Sequence, residues 1–178
     1  MGKKNNKVKV AVATVDPNAP VIIPENRSGT RPFVSVICPT YNRRKFLPNL
    51  IRQFLYQDYP QEFMELVLLD DSPESNADII PNRSNIKYNY EPEHMKLGRK
   101  RNALNALATG DIIVCFDDDD YYSPNRVSHC VTKLASSSAL ICGSSIIHIY
   151  YKDINKIYEF GPYAPYHATN GTFGYRKE

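Results

Sequence analysis

Tryptophan is absent from the 178 residues, and no apolar run approaches the ~20 residues that a membrane span requires. The opening MGKKNNKVKV lacks the apolar stretch of a secretory leader. Asn6 stands where N-myristoylation of Gly2 wants Ser or Thr. Four cysteines, Cys38, Cys115, Cys130 and Cys142, form no CxxC pair, which argues against zinc and disulfide frameworks. They read as buried free thiols of a cytoplasmic protein. The phosphate-binding GxxxxGK[ST] loop, a GxGxxG turn after a strand and the HExxH zinc helix are all missing. Positive charge on the fold is missing too. The net charge is +3, but residues 1–31 carry six basic and two acidic residues, which leaves the remainder at −1. A nucleic-acid partner is therefore not expected.

What is present is a domain-sized chain, 42% hydrophobic and 23% charged, enough for a real core. Residues 1–32 read as a basic, Pro-punctuated arm, with a weak edge strand at residues 8–15. Residues 33–178 read as one domain. Residues 33–38 (FVSVIC) predict a buried strand ending at Pro39. Leu47, Leu50, Ile51, Phe54 and Leu55 follow helical spacing, with Pro48 tolerable in the first turn. Further strands are predicted at residues 65–70, 86–90 and 111–116. A helix over residues 98–109 turns Ala103, Leu104, Leu107 and Ala108 inward and ends at Gly110. Ser123-Pro124 reads as a cap and first helical residue, and Val127, Val131 and Leu134 give that helix an apolar side. Residues 140–151 read as one long strand, returned by residues 156–160 as a hairpin. This alternation predicts an α/β fold with a mostly parallel sheet, helices on both faces and a small antiparallel hairpin region.

Ligands of such sheets bind beyond the carboxyl ends of the strands. Three predicted strands end in chemistry-capable residues. The sharpest is residues 116–121 (FDDDDY). Adjacent carboxylates repel one another, and in a cleft they call for a cation or protons. Oxygen ligands suit Mg²⁺ or Mn²⁺, which could bridge a diphosphate. If the strand continued, Asp117 and Asp119 would face the same way. A solvated acidic turn is the plain alternative, made weaker by the apolar run that anchors the acids. The second feature is Gly98-Arg-Lys-Arg-Asn102. Cations at a helix start oppose the dipole unless an anion sits there. The third is Pro39, Thr40, Tyr41 and Arg43 together with Asp70 and Asp71. There an aromatic ring could stack on a base and a carboxylate could accept from it, although Asp-Asp-Ser-Pro is also ordinary turn chemistry.

In order, these blocks resemble the family 2 glycosyltransferases of the Rossmann-like GT-A fold, over residues 34–122. VSVICPTYNR resembles the family's opening strand and nucleotide loop. LVLLDDS resembles its second strand with the base-contacting aspartate. GRKRNA is similar to its Arg-Asn segment, and FDDDD to its DxD block. The resemblance implies a nucleotide-diphosphate sugar, a UDP-sugar first among them, as donor to a glycan or other hydroxyl acceptor. It places Thr40, Tyr41 and Asp70 or Asp71 at the base and ribose, and Arg101, with Arg99, near the diphosphate. Asp117 and Asp118 would contact the donor, Asp119 with Asp117 would hold the metal, and Asp120 would lie near the sugar.

The sequence departs from the family at the general base, an acidic residue well beyond the DxD block. After Asp120 the only carboxylates are Asp153, Glu159 and Glu178, none in an acidic pair. Residues 170–174 (NGTFG) resemble the segment just before that base, so the chain reads as a fragment of a longer polypeptide. His167 is a candidate site residue or a polar surface group. Two rivals remain. One is a phosphohydrolase or phosphotransferase with a nucleophilic aspartate after residues 112–116, though it lacks the later Lys and acidic pair. The other is a module that binds a nucleotide sugar without turnover.

Overall fold

The computed structural model describes residues 31–164 and 166–177. The arm and its weak strand lie outside the described residues, except that Arg31 and Pro32 are seen. Strand β1 (Val34–Thr40) is followed by α1 (Leu47–Leu55), β2 (Met64–Asp70), β3 (Ile86–Tyr90), α2 (Leu97–Leu107), β4 (Ile112–Cys115) and α3 (Arg126–Ala135). Then come β5 (Ile141–Cys142), β6 (Ile147–Tyr151), β7 (Lys156–Phe160) and β8 (Gly174–Arg176). The main sheet has the order β3-β2-β1-β4-β8-β5, and β6 pairs with β7 as a separate antiparallel hairpin. Strands β3, β2, β1 and β4 are parallel, while β8 runs antiparallel to both β4 and β5.

Alternation along the strands divides the core between two faces. Val34, Val36 and Cys38 join Leu66, Leu68, Val114 and Phe116 beneath the apolar sides of α1 and α3. Ile37 joins Val67, Leu69, Ile113 and Cys115 beneath Leu104 and Ala108. Helices thus cover both faces, as the alternation implies. Leu107, expected inward, lies on the exposed side of α2. Among the described residues no helix is long and apolar enough to cross a membrane.

The local departures have physical causes. Strand β1 continues through Pro39 to Thr40 instead of ending there. The Ile37 carbonyl faces β4, accepting from Phe116 N, whereas the Thr40 carbonyl faces β2, accepting from Asp71 N. Pro39 therefore turns its missing N–H toward β4, where pairing has already ended at Ile37 and Cys115, and costs no ladder bond. The helix expected at Ser123 starts at Arg126. The Ser123 hydroxyl bonds Asn125 Oδ1 (2.7 Å) and its carbonyl accepts from Arg126 N, so Ser-Pro makes the turn before the helix. The long strand at residues 140–151 breaks at Ser144. Its hydroxyl bonds the carbonyl and the N–H of Ile146 (2.7 and 3.1 Å), a local turn that competes with the ladder.

Gly110 ends the connection from α2 to β4 rather than α2 itself. A Cβ there would lie 2.5 Å from Ser35 N and 2.8 Å from Phe33 O. Backbone atoms cannot swing aside as a flexible side chain would. Gly110→Ala should destabilise the protein by about 1–3 kcal/mol, read as a lower urea midpoint with an unchanged slope. An unaltered midpoint would contradict this tight packing.

Candidate functional site

The chain winds outward in both directions from β1 and β4, so the order of the parallel strands reverses between them. That reversal opens a crevice beyond their carboxyl ends. Thr40 ends β1, Asp70 ends β2, and Asp117 to Asp120 follow β4.

The acidic segment is a turn, not a continuing strand, because β4 stops at Cys115. It folds around Tyr122, whose ring stacks on Phe116 at 3.8 Å and whose hydroxyl accepts from Asp117 N at 2.7 Å. Two glutamines, Gln53 of α1 and Gln57 just beyond its end, grip it from below. Gln53 donates to the Asp120 carbonyl (3.0 Å) and accepts from Tyr122 N (2.5 Å). Gln57 donates to the Ser123 carbonyl and accepts from Val127 N, both at 3.0 Å.

The four acids consequently point to different neighbours. Asp118 is buried and accepts from Thr40 Oγ1 at 2.7 Å. Arg43 reaches Asp118 at 3.8 Å and Asp119 at 3.2 Å. Asp117 faces Arg101 Nη2 at 3.9 Å. Asp117 and Asp120 converge on Gly171, where a Cβ would meet Asp117 Oδ2 at 2.9 Å and Asp120 Oδ2 at 3.2 Å. The expected sharing of one strand face by Asp117 and Asp119 does not hold, since strand alternation ends before them. Burial first, and then the neighbouring carboxylates, raise the pKa of Asp117 and of Asp120. Burial also raises Asp118, and the Thr40 hydrogen bond offsets it in part.

Across the crevice, α2 begins without a side-chain cap and without an acid in its first turn. Its first N–H groups and its dipole favour an anion. Of its three cations, Arg99 is exposed. Lys100 is buried, donating to the Thr40 carbonyl (3.0 Å) and pairing with Asp71. Arg101 is partly buried, and its Nε is buried with no hydrogen-bond partner among the described residues. A guanidinium nitrogen left this way costs free energy unless a further group completes it.

The two aspartates after β2 separate in role. Asp70 is a structural knot, accepting from Ser72, Asn76 Nδ2 (2.7 Å) and Tyr88 Oη (2.6 Å). Burial pushes its pKa up, but these bonds outweigh burial and hold it below the usual value. Asp71 binds Lys100, Met95 N (2.7 Å) and His94 Nδ1 (3.1 Å). The His94 ring lies 4.2 Å from that of Tyr41, so Asp71 stands beneath an exposed aromatic pair. Asn42, next to Tyr41, adopts φ 55°, a left-handed conformation that Asn tolerates, and its N–H donates to Ser72 Oγ at 2.7 Å.

Sequence reasoning missed Gln53, Gln57, Tyr122 and His94 as site-building residues, and it passed over Lys100 in favour of its neighbours. Only Lys100 left a signal, sharing a helix face with Leu104 at i, i+4. His167 is exposed beside Tyr163, and the acidic turn is built without it. Asp153 and Glu159 lie on the hairpin, where Glu159 pairs with His148 at 3.1 Å.

Among the described residues no three His, Cys, Asp or Glu side chains converge to cage a metal ion. That suits a hard cation held by one or two carboxylates and completed by substrate oxygens and water, as Mg²⁺ typically is. The donor set fits such an ion, with Asp117 partly exposed and Asp119 exposed at the crevice.

A profile described as Glycosyl transferase family 2 matches residues 35–174. The chain belongs to the family 2 glycosyltransferases. Among relatives of this glycosyltransferase chain is poly(ribitol-phosphate) beta-N-acetylglucosaminyltransferase TarS of Staphylococcus aureus. It is 34% identical over 92 residues, which are 49% of this chain and 16% of that protein. The putative colanic acid biosynthesis glycosyl transferase WcaA of Escherichia coli is 31% identical over 102 residues, 54% of this chain and 36% of that one. The chain thus spans well under half the length of either relative.

Two solved structures are similar in fold. The mannosyltransferase PcManGT of Pyrobaculum calidifontis, in complex with GDP-Man and Mn²⁺, has a TM-score of 0.57 at 25% identity, covering 64% of this chain and 35% of that one. TarS 1–349 with UDP-GlcNAc has a TM-score of 0.55 at 26% identity, covering 61% and 32%. A GT-A-type glycosyltransferase fold replaces the nucleophilic-aspartate rival.

The raised acids of this glycosyltransferase carry a pH signature. Their stabilising protonation is fully present below the ordinary carboxylate value of about 3.9 and is lost as pH rises through the elevated folded values. Asp117→Asn should therefore raise the melting midpoint of the metal-free protein at about pH 7 and change it little at about pH 4. A lower midpoint at neutral pH, measured calorimetrically, would mean that Asp117 is not under electrostatic strain.

Proposed function

We propose that this chain binds a nucleotide-diphosphate sugar, with a UDP-sugar first among the candidates, and presents it for transfer to an acceptor hydroxyl. The observation that carries the reading is the opposition of two poles. The crowded acids after β4 lie beside Arg101, whose Nε is buried without a hydrogen-bond partner among the described residues. Complexes of similar proteins with GDP-Man and Mn²⁺ and with UDP-GlcNAc support a donor of this class.

In this reading Tyr41 and His94 stack on the base, and Asp71 orients it from below. Asp71 is itself fixed by Lys100 and the Met95 N–H. Pro39, Thr40 and Arg43 frame the ribose side. The open N–H groups of α2, with Arg101 and the exposed Arg99, receive the diphosphate. Asp117 and Asp119 would hold a Mn²⁺ or Mg²⁺ ion, which would neutralise charge on the leaving diphosphate. Asp118 braces the turn through Thr40, and Asp120, against Gly171, faces the sugar. Cleavage of the glycosidic bond builds positive charge on the sugar ring, as in glycoside hydrolysis, so carboxylates nearby are favourable.

Transfer also needs a base to deprotonate the acceptor. Asp153 and Glu159, on the hairpin, are not assigned that role. For this reason a second reading, donor binding without turnover, is kept, and consumption of donor in the presence of acceptor separates the two.

Calorimetric titration with UDP and GDP, with and without Mn²⁺, should give binding of one nucleotide that requires the metal. Asp119→Ala should abolish it. Arg101→Ala should weaken the nucleotide that binds by about tenfold or more, the loss of roughly one charge-assisted hydrogen bond, without bringing in the other base. No binding of either nucleotide under any condition would refute the reading.

A further inference from the structure

At the outer edge of the sheet a cavity of about 830 Å³ is lined by α3, β5 and the segment before β8. Two of its lining residues are Cys130 of α3 and Cys142 of β5, with their sulfurs 3.5 Å apart. We propose that these two cysteines are a reactive dithiol that a hydroperoxide converts to an intramolecular disulfide, with Cys142 as the attacking sulfur.

Three observations carry the assignment. The first is the approach of the sulfurs. A disulfide has an S–S length of about 2.05 Å, so closure needs a movement of roughly 1.5 Å. Cys142 sits on a two-residue strand at the sheet edge, paired on one side with β8, where such a movement meets little resistance. The second is Gly174. A Cβ there would lie 1.9 Å from Cys130 Sγ and 3.5 Å from Cys142 Sγ. The Cys130 sulfur therefore fills the place of a side chain on β8, which holds it against Cys142. The third is the contrast with the other thiols. Cys142 is partly exposed along the cavity wall, while Cys38, Cys115 and Cys130 are buried.

The charges favour the same order of reaction. The hydrogen bond between the two sulfurs, with Arg126 and Lys133 nearby, pulls the Cys142 thiol below its ordinary value. Cys38 and Cys115 are closed inside the core on the two faces of the sheet, out of reach of a peroxide. The thiolate is the nucleophile in thiol chemistry, so Cys142 reacts and the core thiols do not.

The step balances as follows. The Cys142 thiolate attacks one oxygen of the hydroperoxide, the O–O bond breaks, and the leaving oxygen takes a proton. The Cys142 sulfenic acid is then attacked by Cys130 sulfur, which gives up its proton as water departs and the S–S bond forms. Two thiols are oxidised and one hydroperoxide is reduced.

The test treats the protein with hydrogen peroxide, blocks the remaining thiols and maps the peptides by mass. A Cys130–Cys142 cross-link that dithiothreitol reverses, with Cys38 and Cys115 recovered as free thiols, is expected. Cys130→Ser should leave a Cys142 sulfenic acid that dimedone captures, and Cys142→Ser should lose both the cross-link and the dimedone adduct. Recovery of Cys130 and Cys142 as free thiols while methionines oxidise would overturn the proposal. So would dimedone capture at Cys130 in Cys142→Ser but none at Cys142 in Cys130→Ser.

Discussion

Four carboxylates in succession repel one another, and this fold holds them at a crevice where burial weakens the screening by water. Their pKa values rise accordingly at Asp117, Asp118 and Asp120. Much of the surrounding structure resists that repulsion. Buried strand β4 fixes one end of the turn, and the Phe116–Tyr122 stack fixes the other. The amides of Gln53 on α1 and Gln57 just after it hold the backbone. Thr40 takes one carboxylate by hydrogen bond, and Arg43 and Arg101 counter the rest. Strain concentrated in this way marks a place where a ligand, not the protein, completes the electrostatics.

The same logic orders the opposite wall. A helix that starts with cations and without a cap is locally inconsistent, and such inconsistencies gather at functional sites. Lys100 resolves its share inside the fold, by tying the Thr40 carbonyl to Asp71 and so joining the ends of β1 and β2. Arg101 does not resolve its own. One helix turn thus supplies both a structural cation and an unsatisfied one.

Much of this was legible in the sequence, and the limits are physical. Apolar runs and helical spacing located the four parallel strands and the three helices, because one periodicity governs both local conformation and burial. Strand ends located the acids after β4 and the polar loop after β1. What periodicity could not supply was direction after a strand ends. Asp117 and Asp119 look equivalent by alternation, yet the turn sends one toward Arg101 and the other toward Arg43. Nor could it supply partners distant in sequence. Gln53 reads as an ordinary helical residue until the turn 67 positions later closes on it. The four cysteines are free thiols as read, Cys142 only partly buried, but the approach of Cys130 to Cys142 beside Gly174 had no signal in the sequence.

In the proposed function, the acidic turn would hold a metal ion and the start of α2 would receive the diphosphate of the same donor. A crystal structure grown with UDP and Mn²⁺, with the metal located by its anomalous scattering, tests it most directly. Manganese bound to Asp117 and Asp119, with the diphosphate near the first turn of α2 and within reach of Arg101, is expected. Manganese bound elsewhere, or a diphosphate remote from Arg101, would contradict it.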